Sequence, residues 1–291
     1  MPAAPERFRI RFWGARGTCP SPGPRTVRYG GNTSCVEVRT ADSALLVLDA
    51  GTGIRALGNL LQHDADRSMV HVFLSHRHGD HVLGLPHFTP LLARARPVCL
   101  HCGNSDAATV RPFLQALLSP PIFPLLDGVM DGLETCDWQD LESGRVAHIG
   151  TTRVHRLDAN HPGDAAVFRI DDAFGPAIAY APDNELGYHD GDEVTASWRS
   201  SLARELRGVE VLIHDATYTD DELSRHSGWG HSSAEEATRF AIEAGVRTLV
   251  LFHHHPDRSD DAVDAMVDRC REIASGAVNV IAAYEGQVLK V

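Results

Sequence analysis

Apolar positions follow two periods along the chain, and the shorter one comes first. Arg9-Ile10-Arg11-Phe12-Trp13 alternates as a half-buried strand, and residues 35–40 follow as another. Residues 44–48 and 69–74 are nearly unbroken apolar runs rich in Val and Leu, the mark of strands covered on both faces. Residues 82–92 and 105–118 have the length and periodicity of helices, and Ser119-Pro120-Pro121-Ile122-Phe123-Pro124 must end the second. This proline-rich, apolar piece suits a substrate lid or a homodimer contact, and composition does not choose between them. Strands over 152–157, 166–170, 177–181, 209–213, 246–252 and 278–284 fill the rest, with a helix over 260–274. Another helix opens at Ser232-Ser233-Ala234-Glu235-Glu236, with a serine N-cap and a capping glutamate. Alternating strands and helices predict an α/β fold, and 291 residues with 43% hydrophobic content fit one domain over 1–291.

Charge and cysteine usage narrow the partners. Lys plus Arg at 27 against Asp plus Glu at 39 gives a net charge of −12, which argues against extended nucleic-acid binding. A small anion held by metal ions remains compatible with that charge. Met1-Pro2-Ala3-Ala4-Pro5-Glu6-Arg7 lacks the apolar core of a signal peptide, and no long apolar run suits a membrane, so a cytoplasmic protein is expected. Six scattered cysteines make a poor disulfide framework. Cys99-Leu100-His101-Cys102 stands alone in a strand-like run, so its cysteines read as structural.

One stretch carries chemistry. Ser75-His76-Arg77-His78-Gly79-Asp80-His81 sets three histidines and an aspartate directly after a buried strand. His76 and His78 point the same way from a loop, whereas Asp80 and His81, past the turn at Gly79, approach from another direction. Imidazoles with a carboxylate suit two divalent transition-metal ions, with zinc first and manganese or iron as alternatives.

The pattern His-x-His-x-Asp-His resembles the metallo-β-lactamase superfamily of metal-dependent hydrolases. Phe12-Trp13-Gly14-x-Arg16-Gly17 and Tyr29-Gly30-Gly31-Asn32-Thr33-Ser34-Cys35 narrow the resemblance to its cyclic-nucleotide-phosphodiesterase-like branch. The resemblance implies a four-layer αββα sandwich with a dinuclear site at one edge. On it, His76, His78 and His161 hold one cation; Asp80, His81 and His253 hold the other; and Asp183 bridges. His254 and His255 are the register alternatives to His253. Asp49, at the end of Asp49-Ala50-Gly51-Thr52-Gly53's strand, is expected to brace the metal loop by hydrogen bonding. His231 and Asp215 resemble the proton-donor pair of tRNA 3′-processing endonucleases (tRNase Z), and together with Asp80 they are the expected catalytic residues. Asn32, Thr33 and Ser34 have a composition able to line an anion pocket.

The reaction so implied is hydrolysis of a small or cyclic phosphodiester, a cyclic nucleotide among the candidates, by a hydroxide shared between two cations. tRNA 3′-processing shares the His231 and Asp215 pair but needs an RNA-gripping arm, and no basic insertion is present. A thioesterase or lactonase of the same fold needs no such pair. His78 argues against di-iron redox members, and a non-enzymatic metal-binding protein is the alternative of a different class.

Overall fold

Apolar side chains gather in three clusters, and these fix the layers. In the computed structural model, which describes residues 6–92, 96–103, 107–124, 137–187 and 193–291, the middle cluster lies between two sheets. It includes Phe12, Phe73, Phe168, Tyr180 and Phe252, all fully buried. The αββα sandwich expected from the resemblance is the observed fold.

The first sheet contains β1 (Phe8–Gly14), β2 (Cys35–Thr40), β3 (Leu45–Leu48), β4 (Val70–Leu74), β5 (Val98–Gly103) and β6 (Asp137–Leu141). The second contains β7 (Val146–Ile149), β8 (Thr152–Asp158), β9 (Ala166–Asp172), β10 (Gly175–Ala181), β11 (Val211–Asp215), β12 (Thr248–Phe252) and β13 (Asn279–Ala282). The closing β14 (Val288–Lys290) returns to pair with β1. Each sheet is antiparallel over one half and parallel over the other: β3 to β6 in the first, β10 to β13 in the second. The parallel strands β3, β11 and β12 are buried along nearly their whole length, which is why they read as unbroken apolar runs. In open parallel sheets ligand sites form beyond the carboxyl ends of the strands. Here the carboxyl ends of β3, β4, β10, β11 and β12 converge, since Tyr180 Oη donates across the sheets to Asp49 Oδ2 at 2.8 Å.

Helices cover both outer faces. α1 (Ile54–His63) turns Ile54, Leu57 and Leu61 onto the first sheet, each worth about 1.5–3 kcal/mol of burial. The helix expected over 82–92 is instead α2 (Gly79–Val82), a 3₁₀ turn (Leu85–His87) and α3 (Thr89–Leu92). Gly84 spends its amide on Ala50 O at 2.9 Å, and Pro86 and Pro90, lacking N–H groups, each open a new turn. α4 (Ala107–Leu117) falls within the range expected for it, whereas Ser105 and Cys136 lie outside the described residues. Past α4, Phe123 packs on the outer cluster and Ile122 stays exposed. α5 (Glu193–Glu205), α6 (Asp220–Leu223), α7 (Ala234–Ala244) and α8 (Asp260–Ala274) cover the second sheet. Ser233 caps α7 by accepting the Glu236 amide at 3.0 Å, a bond worth about 1 kcal/mol. The Glu236 carboxylate does not complete the box: its oxygens are buried without a hydrogen-bond partner. No helix among the described residues is long and apolar enough to cross a membrane.

Candidate metal centre

The site is assembled from strand ends. Asp49, just past β3, accepts Ser75 N–H at 2.7 Å and Ser75 O–H at 2.8 Å, which ties the start of the His76 loop to the neighbouring strand. Loop and α2 then present His76, His78, Asp80 and His81 to residues from the second sheet. Two groups result: an outer one of His76, His78, His161 and Asp183, and an inner one of Asp80, His81, Asp183 and His253. Within each, one ligating atom per residue lies within 4.8 Å of the others. Asp183 belongs to both through different oxygens. Its Oδ1 is 3.0 Å from His81 Nε2 and 3.3 Å from His253 Nε2, whereas its Oδ2 is 3.6 Å from His76 Nε2 and from His161 Nε2.

Hydrogen bonds outside the cluster decide which ring nitrogen faces in. His81 Nδ1 donates to Asp49 Oδ2 at 2.7 Å, leaving its Nε2 lone pair directed at the cluster. The single Thr217 hydroxyl proton goes to Asp215 Oδ1 at 2.7 Å, so Thr217 Oγ1 accepts His253 Nδ1–H at 2.9 Å, and His253 Nε2 likewise faces in. His161 Nδ1 donates to Gly230 O at 2.8 Å. The Thr18 amide donates to Asp80 Oδ2 at 2.7 Å. The result is a ring of lone pairs facing one another. His76 Nε2, His81 Nε2 and Asp183 Oδ1 are buried with no hydrogen-bond partner. Such groups are costly to bury unpaired, and a pair of divalent cations is the charge that satisfies all of them.

Without cations, protons must do that work. Burial pushes His76 and His161 below the ordinary imidazole range. Burial opposes protonation of His81 too, but Asp183, Asp80 and Asp49 together raise it well above that range. Burial alone would raise the Asp183 and Asp80 carboxyls; the surrounding histidines hold both well below the usual carboxylate range.

The backbone is bent to fit. Asp49 (φ 60°) and His253 (φ 58°) adopt the left-handed region at strand ends, a conformation that costs non-glycine residues about 1–3 kcal/mol. A Cβ on Gly17 would stand 2.2 Å from His253 Nδ1, and one on Gly230 would stand 2.3 Å from His161 Nδ1, so both ligand rings occupy space only glycine leaves.

Beside the cluster lies a separate couple. Asp215 is fully buried at the end of β11, and its Oδ2 is 2.7 Å from His231 Nδ1. Its other contacts are donors: Thr217 N–H and O–H to Oδ1, and Asn184 N–H to Oδ2 at 3.2 Å. Burial lowers the His231 imidazole, but the Asp215 charge and hydrogen bond, with Asp183 and Asp80 behind, push it up to about 9. The ring lies 5.0 Å from that of His253 and 5.1 Å from that of His161, with Nε2 left to face a ligand.

The structure thus brings together His76, His78, Asp80, His81, His161, Asp183 and His253, with Asp49, Asp215 and His231 around them. Of the three consecutive histidines, His253 faces the cluster. His254 Nε2 donates to Ala283 O at 2.9 Å, and His255 Nδ1 accepts the Asp257 amide at 3.2 Å. In the segment expected to line an anion pocket, Asn32 gives its amide and side chain to Glu285 and Thr33 exchanges two hydrogen bonds with Thr52, whereas Ser34 Oγ is buried without a hydrogen-bond partner. Sequence reasoning missed Thr18, Tyr180, Thr217 and Glu185. Glu185 accepts the Gly228 and Gly230 amides, both at 2.8 Å, and so sets the loop that carries His231. Thr217 alone had a signal, its place two residues after Asp215.

Comparison with known proteins shows the family and the fold. A family model described as Beta-lactamase superfamily domain matches residues 45–254. The chain is 26% identical over 314 residues to a Ribonuclease Z of Haloarcula marismortui, covering 98% of this chain and 97% of that one. It is 33% identical over 232 residues to the uncharacterized protein Rv1339 of Mycobacterium tuberculosis, covering 78% and 76%. Among solved structures, the metallo-beta-lactamase fold protein YhfI of Bacillus subtilis superposes with a TM-score of 0.70 at 18% identity, over 99% of this chain and 100% of that one.

Proposed function

The chain belongs to the β-lactamase superfamily and is a metal-dependent hydrolase, and from that premise we propose that it cleaves a phosphodiester, preferring a small or cyclic one. The observation that carries this reading is the His231–Asp215 couple at 2.7 Å beside the metal cluster. Phosphodiester hydrolysis expels an alkoxide that must be protonated, whereas a thioester leaves as a stable thiolate and needs no such donor.

In this reading His76, His78 and His161 would hold one cation and Asp80, His81 and His253 the other, with Asp183 belonging to both groups through its two oxygens. The nitrogen and oxygen donor set suits zinc, with manganese or iron as alternatives. Two bound divalent cations supply Lewis-acid stabilisation of phosphoryl charge and a nucleophile at neutral pH. The protein does the rest. Asp215 fixes the His231 tautomer so that Nε2 carries a proton toward the leaving oxygen. As the P–O bond breaks, that proton moves to the departing oxygen and leaves a neutral imidazole, whose Nδ1–H stays on Asp215. Asp49, Thr217 and the Gly230 carbonyl keep the metal-facing nitrogens inward throughout.

Substrate size is argued from charge. A net charge of −12 disfavours a long polyanion, which supports a small diester, whereas the Ribonuclease Z relative supports RNA. Among the described residues Cys19, Cys35, Cys99 and Cys270 are in no disulfide, which supports work in a reducing cytoplasm. A metal-supplemented panel decides: bis-aryl phosphodiester, 2′,3′- and 3′,5′-cyclic nucleotides, precursor tRNA and a thioester. Higher kcat/KM on a small diester is expected. Efficient precursor-tRNA cleavage without small-diester turnover reverses the size preference, and turnover of the thioester alone ends the phosphodiesterase reading.

A further inference from the structure

A second set of metal-ligating side chains lies lower in the first sheet. β4 and β5 run parallel with His71 opposite Cys99 and Phe73 opposite His101, so these four side chains share one face of the sheet. That face looks into the inter-sheet core, since Phe73 belongs to it. His101 stacks on Phe73 with ring centroids 4.1 Å apart and planes 7° from parallel. His71 Nδ1 and His101 Nε2 are 3.0 Å apart, and one ligating atom from each of His71, Cys99 and His101 lies within 4.8 Å of the others. His71 precedes His76 by five residues, roughly 16 Å of strand, so this trio is separate from the dinuclear cluster.

Two observations set the trio apart from an ordinary buried histidine pair. His101 is only 3% exposed, yet its Nδ1 has no hydrogen-bond partner, an arrangement that costs about 1–3 kcal/mol unless something takes up that nitrogen. Cys99 is 4% exposed and its pairing partner on β6 is Asp137, which is solvent-exposed. His71, Cys99 and Asp137 therefore form a row across three adjacent strands, running from a soft donor set to a carboxylate open to solvent.

We propose that His71, Cys99 and His101 bind a third transition-metal ion of the zinc class, with Asp137 or a water as the fourth ligand. One thiolate with two imidazoles is a donor set that favours zinc and cobalt(II) over magnesium or calcium. On binding, the Cys99 S–H proton leaves to solvent as the sulfur–metal bond forms, and no electron is transferred. The site is structural: it ties β4 to β5 beneath the strand end that carries His76, and it offers no open route for a substrate.

Sulfur makes the test specific, because the dinuclear cluster contains none. Metal-depleted protein is titrated with cobalt(II) chloride alone and followed in the near ultraviolet, where thiolate-to-cobalt charge transfer absorbs. The expected result is a saturable band that is abolished by Cys99→Ala and shifted to about tenfold or more higher cobalt concentration by His71→Ala. Cys19→Ala, at an exposed thiol, should leave it unchanged. Zinc content by elemental analysis should fall by one equivalent in Cys99→Ala while hydrolase activity is retained. Absence of the band in wild-type protein whose hydrolase activity cobalt restores overturns the proposal, and so does a band that survives Cys99→Ala. If Cys99→Ala does not fold, the half-buried His71→Ala decides, an unchanged band counting against the site.

Discussion

The two candidate ligand groups are built differently, although they share Asp183. In the inner group every ligand is buried, and His81, His253 and Asp80 each have a partner behind them in Asp49, Thr217 and the Thr18 amide. In the outer group His78 is exposed, and its Nδ1 lies 3.1 Å from His161, another member of the same group. His161 rests on one carbonyl of a glycine loop. Partners behind a ligand raise its affinity for metal and slow its departure. The inner group is therefore the more rigidly held of the two, and the outer group is the one open to solvent at His78.

The strongest test removes what the halves share. Asp183→Ala should empty both groups and lower turnover by more than about 10³, because charge stabilisation and nucleophile go together. Retention of one tightly held equivalent with full activity would break the bridging assignment. Next comes His231→Ala, which belongs to neither ligand group although its ring packs beside those of His253 and His161. It should keep both cations and lose about 10² in kcat on a nucleotide substrate, with a much smaller loss on a p-nitrophenyl ester. Equal losses on both substrates would make His231 a substrate-positioning group. Asp49→Asn sharpens the comparison directly: inner-group affinity should fall about 10- to 100-fold in metal-buffered titrations, with a smaller fall in the outer group, whose His76 Asp49 reaches only through Ser75. The smallest effect is kinetic. Brief chelator treatment of wild-type protein should release one equivalent ahead of the other, and His78→Ala should speed that first release alone.

Much of this site was legible because its residues are adjacent in sequence or end apolar strands. His76, His78, Asp80 and His81 lie within six positions, and Asp183 and His253 follow unbroken strands. His253 was chosen among three consecutive histidines because it directly follows the strand, and in the structure its positive φ turns it inward while His254 goes to Ala283 O. The supports were illegible for another reason. Tyr180 reaches Asp49 from 131 positions away, on the opposite sheet, and nothing in either residue's neighbourhood announces it. In the fold, α1 was overlooked beside the Gly-rich turn before it. β6 was overlooked because Asp137-Trp138-Gln139-Asp140-Leu141 is too polar to read as a strand. Pairing with β5 on one side stabilises it where propensity does not.

The convergence of strand ends from both sheets would give bound cations a role in cohesion. His76 and His81 belong to one half of the molecule, Asp183 and His253 to the other, and Asp80 and His253 are 173 positions apart in the chain. A bound ion would thus be a reversible cross-link that closes a long loop, acting as a disulfide would on the unfolded chain. Ligand that binds only the folded form adds stability by mass action, about 4 kcal/mol at a thousandfold excess over its dissociation constant. The melting temperature should then climb with the logarithm of free zinc, which makes the seam between the sheets a gauge of metal supply.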